Sequence, residues 1–141
     1  MLELLIVFSI IAVVASIAIP SLAATKQAAY EASALSYMRT WPAAQELYKI
    51  RFGSYADADG QIVVEEIVGN PDPDRFGYTF SFDNSSGSTS NWWGRGWPNE
   101  PGVTGDRWFY IDITGVIRYS TSGQAGPNST PLGVSEEDGE G

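Results

Sequence analysis

The side chains able to do chemistry in this chain are mostly carboxylates. Glu65, Glu66, Asp72 and Asp74 fall close together and in principle form pairs for acid–base work, but such runs on loops usually face solvent. Histidine and cysteine are both absent, which removes the commonest general base, the thiol nucleophile, thiolate metal ligation and any disulfide. The serines therefore have no imidazole partner, and no phosphate-cradling glycine pattern followed by lysine occurs. Asp57-Ala58-Asp59-Gly60 starts like a calcium loop, yet the later ligands and the bidentate glutamate are missing, so it reads as a solvated turn. The expectation is a non-enzyme with no cofactor and no metal site. Asn84-Ser85-Ser86 and Asn128-Ser129-Thr130 fit the N-glycosylation acceptor pattern, making Asn84 and Asn128 candidate modification sites. Trp92-Trp93-Gly94-Arg95-Gly96-Trp97 offers rings for stacking on sugars or a partner, or a cation–π cluster about Arg95. The favoured reading is a loop pinned to a sheet by aromatic burial. A net charge of -9 argues against binding nucleic acid through basic patches and favours a soluble outer surface.

Glu3 is the acid whose position says most. It is the only charge among the first 25 residues, within MLELLIVFSIIAVVASIAIPSLAAT. A carboxylate in hydrocarbon costs a few kcal/mol and usually has a partner and a task. The first basic residue, Lys26, follows the apolar run, whereas a secretory signal peptide places its positive charge first. Residues 4–22 are long enough to span a bilayer, which takes about 20 residues. The block reads as a membrane or assembly helix carrying one acid.

The elements around it divide the chain into residues 1–25, the apolar segment; 26–52, an amphipathic continuation; and 53–141, a head with a small sheet and an acidic tail. Residues 1–52 are expected to form one helix, roughly 78 Å long at 1.5 Å per residue. Ala34, Tyr37, Met38, Trp41, Ala44, Tyr48 and Phe52 recur at three- and four-residue steps as its apolar face, with Glu31, Arg39, Glu46 and Arg51 elsewhere. Pro20 and Pro42 each remove a backbone hydrogen bond, so each is expected to kink or loosen the helix, and residues 40–42 are a candidate break. Gly53 ends it, with Lys49 and Arg51 in the last turn. Residues 61–68 suit a short helix or a β-run. Phe76, Tyr78, Phe80 and Phe82 alternate with small and polar residues as a strand should. Residues 83–106 read as a long surface loop. Residues 108–113 and 116–119 read as a hairpin about Thr114-Gly115. The expected fold class is α+β: a long N-terminal helix packed on a small antiparallel sheet.

Leu2-Glu3-Leu4-Leu5-Ile6-Val7, Ile10-Ile11-Ala12 and Ala18-Ile19-Pro20-Ser21-Leu22 resemble the N-terminal segment of type IV pilins and the related pseudopilins. On that register Met1 corresponds to the third residue of a mature pilin, the leader, its glycine and an N-methylated Phe lying before it. The resemblance implies a pilin roll, maturation by a prepilin peptidase and an assembly machinery, and a single pass through the inner membrane before assembly. It further implies a homo-oligomeric extracellular filament serving adhesion, motility or surface attachment. In such a filament Glu3 neutralises the N-terminal amine of an adjacent subunit, Leu4, Leu5, Ile6, Phe8, Ile10, Ile11, Val13, Val14, Ile17 and Ile19 pack between helices, and Pro20 marks the helix break. The alternatives are a major pseudopilin of a type II secretion system, a class that often binds calcium in its C-terminal region (here near Asp106 or Asp112), and an anchored binding module that never polymerises.

Overall fold

A computed structural model describes residues 1–57, 75–83 and 90–133. Helix α1 runs Leu2–Met38 and helix α2 runs Trp41–Phe52. Between them Arg39 and Thr40 keep right-handed helical dihedrals, so α2 continues α1 after a two-residue interruption. Pro42 explains the interruption: lacking an N–H, it sits in the first turn of α2, where no intrahelical donor is needed. The Thr40 hydroxyl donates to the Tyr37 carbonyl at 2.6 Å, which also accepts the Thr40 N–H at 3.0 Å. By contrast α1 passes through Pro20 without a break in the single chain. Gly53 closes α2 in the left-handed region (φ 84°), its N–H donating to the Lys49 carbonyl, as a C-terminal glycine should.

A 3-10 turn, Arg75–Gly77, leads into five strands: β1 Tyr78–Asp83, β2 Trp93–Pro98, β3 Trp108–Asp112, β4 Arg118–Ser120 and β5 Thr130–Pro131. Each pairs antiparallel with the next, giving a meander in sequence order. The α+β arrangement of a long N-terminal helix on a small antiparallel sheet is therefore realised.

Tyr78, Phe80 and Phe82 point inward and are buried, as their alternation requires. Phe76, expected in register with them, lies before the strand in a left-handed conformation (φ 62°) and still packs against the core. Strand β2 corrects the expectation of a loop through residues 83–106. Its inward positions are Gly94, Gly96 and Pro98, and its outward ones Trp93, Arg95 and Trp97. The small inward residues admit the helix: a Cβ on Gly94 would stand 2.5 Å from the Trp41 ring. Trp41 fills that space, fully buried, 4.2 Å from Phe82 and 5.7 Å from Phe80 between ring centroids. The expected hairpin after β3 is wider than a two-residue turn: Asp112 accepts from the Thr114 N–H at 2.9 Å, and Gly115 takes positive φ. Strand β5 is steadied by the Leu132 N–H bonded to the Ile117 carbonyl at 2.8 Å.

The apolar helix face is realised at Ala34, Tyr37, Met38, Trp41 and Ala44, all buried, with Tyr48 partly buried beside them. Phe52 is exposed and contacts Tyr48. Arg39, Glu46 and Arg51 are exposed, but Glu31 is buried, contrary to its placement off the packed face. Residues 61–68, Asp59 and Asn84, together with the carboxylates at 65, 66, 72 and 74, lie outside the described residues.

Candidate functional site: an apolar helix and its anchorage

The head grips only the later part of α1. From Leu2 to Tyr30 no residue of the helix is buried, and its large apolar side chains from Leu2 to Leu22 are exposed. Leu4, Leu5, Ile6, Phe8, Ile10, Ile11, Val13, Val14, Ile17 and Ile19 are each more than half exposed. This helix is long and apolar enough to cross a membrane, with a window of mean hydropathy 2.8 that is 0% buried. Water does not tolerate a continuous apolar rod of this size; exposed patches beyond a few hundred Å² mark contacts with membranes or partners. Glu3 lies in its first turn, where a negative charge also suits the positive end of the helix dipole. It has no ion-pair partner among the described residues.

The helix is fixed to the head by a charged joint. Glu31, only 7% exposed, is the sole acid between Glu3 and Glu46. Its Oε2 accepts from Arg107 Nη2 at 2.6 Å and from Arg107 Nε at 2.7 Å. Its Oε1 accepts the Asp106 backbone N–H at 2.9 Å. All three donors come from the segment between β2 and β3, so one carboxylate ties α1 to the centre of the sheet. Beside it the Tyr78 hydroxyl donates to the Arg107 carbonyl at 3.1 Å. Gly105 makes room for that hydroxyl, since a Cβ there would fall 1.8 Å from it. Burial, and then the negative charge of Glu31, push the Tyr78 phenol far above its ordinary range, so it stays neutral and keeps donating.

A second clamp joins α2 to the chain that follows it. Buried Gln45 accepts the Ala56 N–H at 2.9 Å and donates Nε2 to the Ala56 carbonyl at 3.4 Å. Neither Glu31 nor Gln45 was singled out from sequence. The signal for Glu31 was present: it lies one three-residue step before Ala34, in phase with the buried face.

Where α1 leaves the head, two grooves flank it. One, of about 380 Å³, lies among Gln27, Ala28, Glu31 and Arg107; the other, of about 450 Å³, among Ala23, Tyr30, Val103 and Thr104. Among the described residues no three carboxylates gather into a possible cation site, and Asp112 turns to Thr114 rather than toward Asp106. Asn128 is exposed in the turn before β5. The aromatic stretch is split: Trp92 is buried and pins the entry to β2, while Trp93, Arg95 and Trp97 stand on the outer face of the sheet.

Together these features define a small α+β head carrying a projecting apolar helix suited to a membrane. Comparison with protein-family models, with curated proteins and with solved structures finds no match to this chain.

Proposed function

We propose that this chain is a structural subunit, a major pilin, of a type IV pilus-like filament, held by α1 in the inner membrane until it polymerises. The observation that carries this reading is the free apolar length of α1, with a lone carboxylate in its first turn, projecting from a head that buries only the helix's later part. In the filament the apolar helices bundle at the centre, burying surface worth about 25 cal/mol per Å². On this reading neighbouring helices enter the bundle alongside the grooves that flank α1 at residues 23–31. Glu3 pairs with the N-terminal amine of an adjacent subunit. Breaking a buried pair strands a charge at a cost of about 3–5 kcal/mol, which lets this contact set the axial register.

Glu3→Ala tests the proposal. The variant should be made and held in the membrane while filaments sheared from cells become rare or vanish; a wild-type filament yield refutes the role given to Glu3. The same assembly chemistry serves a major pseudopilin of type II secretion. Surface filaments that contain this chain by mass decide for the pilus, and filaments confined to the periplasm decide for the pseudopilus. A chain that stays membrane-held and never polymerises under any condition is an anchored binding module instead.

A further inference from the structure

The outer face of the sheet leaves two tryptophans without ring partners. The register that pairs Gly96 with Phe109 brings Trp97 beside Trp108 on adjacent strands, both on the face away from the helices. Each is half-buried, and neither indole contacts another ring among the described residues, although nine other ring pairs occur in the head and helices. The chain after β4 folds back over this face, placing Gln124 and Ala125 opposite them. Between these walls lies a cavity of about 150 Å³ rimmed by Arg95 and Gln124. The Arg95 guanidinium rests 4.5 Å over the Trp93 ring and makes one long bond, 3.4 Å, to Gln124 Oε1. No carboxylate pairs with it among the described residues.

We propose that this slot binds a terminal uronic acid residue of a glycan, with the sugar ring on Trp97 and Trp108 and its carboxylate on Arg95. The cavity is below the roughly 300 Å³ at which drug-sized sites begin, so it suits one ring. A pyranose has apolar C–H faces and polar edges, which match indole walls and an amide–guanidinium rim. An apolar protein anchor would leave the rim's polar groups without partners, which is costly on burial. A nucleobase would bring a phosphate backbone toward a chain of net charge -9, whereas a single uronate brings one charge to one arginine. The slot belongs to the head alone, so the inference does not rest on filament assembly.

The test uses the full chain in micelles of a sugar-free zwitterionic detergent. Glucuronic acid and glucose are titrated while the five tryptophan indole N–H signals are followed by NMR. Glucuronic acid should shift the Trp97 and Trp108 signals saturably, in the millimolar range, and leave those of buried Trp41 and Trp92 in place. Trp97→Ala and Trp108→Ala should each weaken binding about tenfold, the order expected of a stacked aromatic. Trp97→Phe should retain most of it, which separates lost stacking from lost folding. Arg95→Gln should abolish the preference over glucose. Equal binding of the two sugars overturns the assignment to an acid. Absence of any shift, or binding untouched by both alanine variants, overturns the site.

Discussion

Removing Glu31 should loosen the whole head from the helix, and the structure sets the size of the effect. The carboxylate takes two hydrogen bonds from Arg107 and one from the Asp106 backbone, and its side chain is 10% exposed. Breaking a fully buried pair costs about 3–5 kcal/mol because the remaining charge is stranded. Arg107 is not fully stranded, since its side chain is 35% exposed and turns partly to water. That discount brings Glu31→Ala to about 2–3 kcal/mol, including the unsatisfied Asp106 N–H. Glu31→Gln keeps one acceptor and should cost about half as much. For a head of this size 1 kcal/mol moves the midpoint by about 4–8 °C, so the alanine variant should melt about 10–20 °C lower. The assay is thermal unfolding of the full chain in detergent, followed by near-ultraviolet circular dichroism, which reports the tryptophans of the head rather than the micelle-held helix. A cycle with Arg107→Ala should return a coupling of about 1 kcal/mol or more. A midpoint within about 2 °C of wild type for Glu31→Ala, or a coupling near zero, refutes the claim that this joint fastens α1 to the sheet.

Gly94→Ala places a methyl 2.5 Å from a fully buried Trp41, and overpacking should cost about 1–3 kcal/mol in the same melt, visible also as altered Trp41 dichroism. The raised phenols of Tyr78 and Tyr110, shifted chiefly by burial, favour the neutral form in the fold. Their contribution is therefore complete below the unfolded value near 10 and is lost as pH rises above it, so the head should destabilise on alkaline titration. Tyr78→Phe should remove most of that pH slope, as measured by midpoints between about pH 9 and 11. A chain beginning near Thr25 should stay dispersed and monomeric without detergent by light scattering; normal polymerisation of that fragment contradicts the central helix bundle.

How far the fold was legible depended on whether a residue's neighbours were local. The helix was plain because its apolar face repeats every turn, and its stop was plain because Gly53 relieves a left-handed position. Strand β1 showed itself by simple alternation. Strand β2 did not, because its inward side is Gly94, Gly96 and Pro98, residues that read as loop. The volume they lack is supplied by Trp41 and Met38 from the helices and by Phe80 from the neighbouring strand, and no local pattern carries that information. Glu31 was misplaced for a related reason: a charge in phase with an apolar face reads as surface until its cation is known, and Arg107 lies 76 residues away. The apolar helix and Glu3 were fully visible, while the slot between Trp97 and Trp108 depends on strand register and on a segment folded back over it.

The position of the charged joint bears on the proposed filament. In that proposed filament a subunit under axial load would be pulled through α1, since the bundled helices would carry the contacts between subunits. Force then passes from the helix to the head wherever the two are tied. Glu31 lies where α1 enters the head, and its partners sit in the connection between the interior strands β2 and β3 rather than at an edge. The second clamp, Gln45 on Ala56, ties the first half of α2 to the segment that follows the helix. Beyond the joint the buried face from Ala34 to Ala44 holds the helix on the core, so the pull is not borne by the joint alone. Pro20 lies before the first tie, in the stretch the head does not hold. The Pro20 ring removes the bond to Ser16, and loosening there on assembly would lengthen the subunit from about 1.5 to about 3.3 Å per residue without disturbing the head. Ala12, a stronger helix former than glycine by about 1 kcal/mol, should confine that loosening to the turn just before Pro20. A filament map with unbroken helical hydrogen bonding from Ser9 through Leu22 refutes this division between an extensible core and a fastened head.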